Sequence, residues 1–182
     1  MLTKTNYIIW RDCAKNAWLK VHKPDIYFAH ELSAFELSII ETGNEVDLLA
    51  REVLPTGEFQ KKFEVNGYMA ITDILHQGSI YEVKATNEID KKTHLHDLTF
   101  QYNVLKLAGI EVESANLIHL NPEYVREGEI ELTKLFMIED MTEKVKEMSA
   151  EVMSEMELAK KYISSKEEPK GPCDCIYKGR SG

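Results

Sequence analysis

Two dipeptides constrain this chain more than anything else in it: Asn66-Gly67 and Gln77-Gly78. Each suits a two-residue hairpin turn, whose central residues take positive φ. They separate three runs, 58–65, 68–76 and 79–85, that are rich in β-branched and aromatic residues. The pattern predicts three consecutive antiparallel strands. In the first, Phe59, Lys61, Phe63 and Val65 alternate with Gln60, Lys62 and Glu64, and the lysine at 61 interrupts an otherwise apolar face. In the other two, apolar residues fall on both faces, as in the middle of a covered sheet.

Helical periodicity surrounds this block. Residues 3–21 carry Tyr7, Ile8, Trp10, Ala14, Trp18 and Leu19 near the helical repeat, and Lys23-Pro24 ends the run. Residues 31–53 predict a longer helix, with Gly43 as an expected break. Thr93 to Ala108 predicts a helix stopped by Gly109. Val112 to Leu120 and Leu135 to Ile138 read as strands, and Asp140 to Ile163 as a long helix rich in Met and Glu. Helices on both sides of a strand block predict an α/β fold with a central mixed sheet.

With 43% hydrophobic and 29% charged residues, the 182-residue chain can build one packed core. No apolar run reaches the ~20 residues of a membrane span, and no signal peptide opens the sequence. Three cysteines cannot close a disulfide framework, so a reducing cytoplasm is the expected compartment. The net charge of -9 argues against a general nucleic-acid coat. An enzyme that meets DNA through one groove and a metal ion remains compatible with it.

The chemistry concentrates next to the second turn. If Gln77-Gly78 is a two-residue turn, cross-strand partners have residue numbers summing to 155, which places Asp73 opposite Glu82. Alternation puts Glu82 and Lys84 on one face and Val83 on the other. Opposed carboxylates with Cβ atoms ~5 Å apart repel. Among Ile71, Ile74, Leu75, Ile80 and Val83 that repulsion is costly, and a hard divalent cation such as magnesium or manganese removes it. The lysine beyond can hold an attacking water or a scissile phosphate.

Asp73-Ile74-Leu75, then Tyr81-Glu82-Val83-Lys84-Ala85-Thr86, then a helix with Gln101-Tyr102 resemble the PD-(D/E)xK nuclease superfamily. The closer resemblance is to its RecB-like branch, which includes the CRISPR-associated adaptation nucleases and related bacterial proteins. It runs from Tyr7…Cys13…Trp18-Leu19 to the cysteine tail. It implies a restriction-endonuclease-like core, with a nuclease domain over 1–168 and a cysteine-containing tail over 169–182 that leads into further domains of a longer natural chain. It implies that Asp73 and Glu82 bind the metal with help from the Val83 carbonyl, that Lys84 positions or activates water, and that Gln101 orients the site. The family's tyrosine four residues after the glutamine is replaced by Leu105, with Tyr102 nearby as a substrate contact. A family histidine that follows a glycine by four residues is matched by Asp47, after Gly43. Asp47 is either a further oxygen ligand or a solvated helix residue.

Some relatives close the fold with a four-cysteine iron–sulfur cluster. Cys13, Cys173 and Cys175 match three of its positions, and the other reading of them is plain thiols. His94 and His96 open the helix that carries Gln101, where they either touch a phosphate or are solvated. Tyr7, Trp10 and Trp18 either stack on bases or form a core stripe. The function expected from all this is metal-dependent hydrolysis of DNA, exonucleolytic on ends or single strands. The competing expectation is a non-catalytic DNA- or protein-binding module of a larger protein.

Overall fold

A computed structural model of the chain describes residues 1–27, 33–90 and 92–171. Six strands form one sheet: β1 (Leu2–Thr3), β2 (Glu58–Val65), β3 (Tyr68–His76), β4 (Ser79–Lys84), β5 (Ala115–Leu120) and β6 (Phe136–Asp140). The helices are α1 (Lys4–Asp12), α2 (Ala14–His22), α3 (Pro24–Tyr27), α4 (Ala34–Val53), α5 (His94–Leu107), α6 (Leu132–Leu135) and α7 (Thr142–Ile163). The sheet is mixed: β2–β3, β3–β4 and β5–β6 run antiparallel, while β1–β3 and β4–β5 run parallel. Helices cover both faces, and the expected α/β architecture stands. No helix among the described residues is long and apolar enough to cross a membrane.

The two hairpins follow from their turn residues. Asn66 and Gly67 have φ of 49° and 80°, and Gln77 and Gly78 have 48° and 78°, the mirror-image turn that matches strand twist. The pairs His76–Ser79, Leu75–Ile80 and Ile74–Tyr81 obey the expected register. One face packs on α1, α5 and α7 through Tyr7, Tyr68, Ala70, Phe100, Val104 and Met156. Leu75, Ile80, Leu98, Leu105 and Leu117 continue that layer. The other face packs on α4 and α6 through Val46, Ala50, Ile74, Ile118 and Phe136.

One irregularity decides where the chemistry sits. In β3, Tyr68 and Ala70 face the α5 layer, yet Ile74, of the same parity, faces α4. In β2, Phe63 faces the α5 layer and Phe59 faces α4. Both strands reverse their alternation between these points, at Gln60 and Asp73. Gln60 carries a φ of 51° inside a strand, a conformation that side chains other than glycine rarely adopt.

Several expected boundaries change. The 3–21 helix is two helices, broken at Cys13, whose extended backbone ends α1 and begins α2. Gly43 does not interrupt α4, which runs unbroken from a capping box of Ser33 and Glu36. A Cβ at Gly43 would meet nothing within 4 Å, so glycine there costs propensity without forcing a bend. The strand expected from Val112 starts at Ala115. Tyr7 and Trp18 are core residues: Tyr7 stacks on Phe100 with ring centroids 5.2 Å apart, and the buried Trp18 donates its indole N–H to the Ser165 carbonyl.

Candidate active site

The edge of β3 that faces β4 is shared by two partners. β1 takes Tyr68 and Met69, and β4 takes Ile74 to His76. Between them, residues 70–73 have no strand partner on that edge among the described residues. The side chain of Asp73 fills the break, because its Oδ2 accepts the Val83 backbone N–H at 2.9 Å. A side-chain oxygen thus replaces the next ladder bond, and Asp73 lies beside Glu82 without a regular backbone pair. The Gln60 amide approaches its Oδ1 at 3.4 Å.

Glu82 points to the α5 side and is 2% exposed. Its Oε1 accepts Lys84 Nζ at 2.6 Å and Lys4 Nζ at 2.8 Å. Its Oε2 accepts Gln101 Nε2 at 2.6 Å and Lys4 Nζ at 2.9 Å. Lys84 also donates to Asp97 Oδ2 at 2.5 Å, and Lys4 lies 3.4 Å from Asp97 Oδ1. Val83 points the other way, into the α4 layer. Three carboxylates, two ammonium groups and one amide therefore meet where β3, β4, α1 and α5 converge.

The electrostatics follow from this crowding. Burial works against the charge on Glu82, but the ammonium groups of Lys4 and Lys84 outweigh it and hold the carboxyl well below its usual range. Burial and the neighbouring Glu82 push Asp73 up to about 7 and Asp97 up to about 6. Burial opposes the charge on both lysines, and Glu82 and Asp97 keep them protonated above the ordinary lysine range. Negative charge is in excess by one group, and Asp73 carries the strain of it.

Two members of this cluster were not anticipated from the sequence. Asp97 stands one turn before Gln101 on the same stripe of α5, and the i, i+4 spacing is the signal that would have found it. Lys4 left no local signal. β1 brings it here: Leu2 is buried, its N–H donates to the Gly67 carbonyl at 2.8 Å, and the strand pairs with Tyr68 and Met69. α1 then starts at Lys4, with the Thr3 hydroxyl capping the N–H of Asn6.

Other expected site residues lie elsewhere. Asp47 is on α4, on the Val83 side of the sheet, with its Oδ2 held by Arg51. Tyr102 faces α7 and lines a surface groove with Lys106, Lys146 and Met153. His96 is buried; burial and Arg11 lower its pKa, so it belongs to the Arg11–Glu155 neighbourhood rather than to Glu82. His94 lies at the rim, where burial and Lys84 lower its pKa, and its Nδ1 accepts the Asp90 N–H. Cys13 is buried at the α1–α2 junction. Cys173 and Cys175 lie outside the described residues.

Among the described residues, no three or more His, Cys, Asp or Glu side chains are placed to share one ion, which leaves Asp47 out of a common site with Asp73 and Glu82. Magnesium commonly takes only one or two carboxylates and keeps several waters. Asp73 and Glu82 supply two, of the hard oxygen type such a cation prefers. Asp97 Oδ1 and Gln101 Oε1 are buried oxygens without a hydrogen bond beside them. The residues fit a hard divalent cation in chemistry.

No protein-family model and no curated protein matches the chain. Solved structures do. The crystal structure of SSO0001 superposes with a TM-score of 0.55 at 13% identity, over 93% of this chain and 78% of that one. A phage-related exonuclease from Haemophilus somnus 129PT superposes with a TM-score of 0.51 at 13% identity, over 82% of this chain and 80% of that one. At this identity the likeness is one of fold: a mixed sheet flanked by helices that is shared with an exonuclease.

Proposed function

We propose that this chain is a metal-dependent nuclease of the PD-(D/E)xK type, in its RecB-like branch, that hydrolyses DNA from ends or in single strands. The observation that carries the reading is the assembly of Glu82, Lys84 and Gln101 beside Asp73, at the break in the sheet. Burying three carboxylates and two lysines together is costly, and a fold of this size can reach a stable core without them. The shared fold with a phage-related exonuclease supports the same reading.

In this reading Asp73, Glu82 and the Val83 carbonyl would hold magnesium or manganese, which would supply Lewis-acid polarisation of the phosphoryl group and a more acidic water. Lys84 places a fixed positive charge where negative charge grows on the phosphate. Asp97 holds that ammonium from the far side, at 2.5 Å. Gln101 fixes the rotamer of Glu82 from within the core. Glu82 stays ionised across the neutral range because both lysines hold its proton off.

The test is degradation of end-labelled linear DNA with magnesium or manganese, with Glu82→Ala as the control. Metal-dependent loss of label that disappears in the variant is the expected result. Purified protein without metal-dependent cleavage of single- or double-stranded DNA would turn the reading toward a binding module on this fold.

A further inference from the structure

Glu82 has no acceptor capacity to spare. A carboxylate offers about four lone-pair positions, and four donor contacts already reach its two oxygens: two from Lys4, one from Lys84 and one from Gln101. A cation that ligates Glu82 must displace one of them. Gln101 is fully buried on α5 and held by the core. Lys84 is anchored at its far side by Asp97 at 2.5 Å. Lys4 takes a position on each Glu82 oxygen and meets Asp97 only at 3.4 Å. Lys4 therefore stands between Glu82 and Asp97, on the carboxylate that the proposed metal would need.

We propose that Lys4 is a resident cation of the site, a positioning residue that organises Glu82 and Asp97 and competes with the divalent metal for Glu82. The inference rests on the nuclease reading above and adds a residue to it. A cation on Glu82 would take the place of Lys4 there and leave its ammonium to Asp97, 3.4 Å away. Occupancy then depends on the contest between an internal ammonium and a divalent ion. The two-residue β1 is what sets the terms, because its pairing to β3 fixes where α1 begins.

The experiment is manganese affinity, measured by titration calorimetry or by the paramagnetic signal of free manganese. The proteins compared are the wild type, Lys4→Met and Lys4→Arg. Methionine keeps most of the apolar stem and removes the competing charge. Removing one charged competitor should tighten manganese binding by about tenfold or more, while Lys4→Arg should stay near the wild type. Equal or weaker binding in Lys4→Met, with manganese-dependent DNA cleavage intact in the wild type, would overturn the role of Lys4 and leave the nuclease reading standing. No binding in any of the three would overturn both. If Lys4→Met does not fold, the wild type answers alone: magnesium should raise acetylation of the Lys4 amine in peptide mass spectra. Unchanged labelling would refute displacement.

Discussion

The helices α4 and α5 invert the usual relation between composition and burial. α5 buries almost every residue from Leu95 to Leu105, including the polar His96, Asp97, Thr99, Gln101 and Asn103. α4 is longer and leaves Phe35, Leu37, Ile39 and Ile40 exposed in its first half, burying only Val46 and Ala50 fully. The difference is one of position. α5 lies between the sheet and α7 and is covered on both sides. α4 is anchored by its C-terminal half, where Val46, Leu49, Ala50 and Val53 pack in the layer that covers β4 and α6. Exposed apolar residues are common on protein surfaces, whereas buried polar ones carry a cost. The polar stripe of α5 is therefore the part of the molecule that points to chemistry.

A matched substitution tests that comparison most severely. Phe100 is 0% exposed and Phe35 is 72% exposed. Phe100→Ala removes the ring that Tyr7 stacks on and should cost about 3–5 kcal/mol in denaturant unfolding. A loss under ~1 kcal/mol would mean that the α5 layer around Phe100 is loosely packed. Next in size is the effect of Lys84→Met on DNA cleavage. Loss of a charge that stabilises the transition state should lower the rate roughly a hundredfold or more when measured well below the melting temperature, and that melting temperature should itself fall, because Glu82 and Asp97 lose a buried partner. A variant that cuts at the parental rate would reduce the buried cluster to a structural feature.

The pH dependence of stability sharpens the same point. Asp73 is raised from 3.8 to about 7 in the fold by burial and by Glu82. Its contribution to stability is full below its ordinary pKa and is lost as pH rises through about 7. In EDTA, Asp73 should therefore make the stability slope from pH 4 to pH 7 more negative than in Asp73→Asn, against the opposite contribution of His94 and His96, whose pKa values the fold lowers. Asp97, raised to about 6 with the same sign as Asp73, should leave part of the negative contribution in the variant. An identical slope in both proteins would show that Asp73 is not the strained group. The smallest expected effect is Phe35→Ala, within about 0.5 kcal/mol of the parent. A large loss there would reveal a partner surface for Phe35 within the chain.

Much of this was legible in the sequence because it is local. Asn66-Gly67 and Gln77-Gly78 adopt positive φ by their own chemistry, and each sets the register of the strands it joins. Once the second turn is placed, period-two alternation separates Glu82 and Lys84 from Val83 without reference to the rest of the chain. The α5 stripe and its stop at Gly109 follow from helical spacing in the same way.

What the sequence could not disclose depends on partners distant along the chain. The alternation reverses at Gln60 and Asp73, because residues in two strands leave regular geometry together. Asp73 trades a backbone pair for the Val83 amide, which no turn rule predicts. Asp97 becomes part of the site only because α5 packs over β4. Lys4 lies 78 positions from Glu82. It reaches Glu82 because two residues of β1 add in parallel to β3, on the edge that β4 leaves free. Turn and periodicity rules act over a few residues and so determined the hairpins and the Glu82–Lys84 face. The charge balance around that face is a sum over elements joined only by packing, and tertiary structure alone decided it.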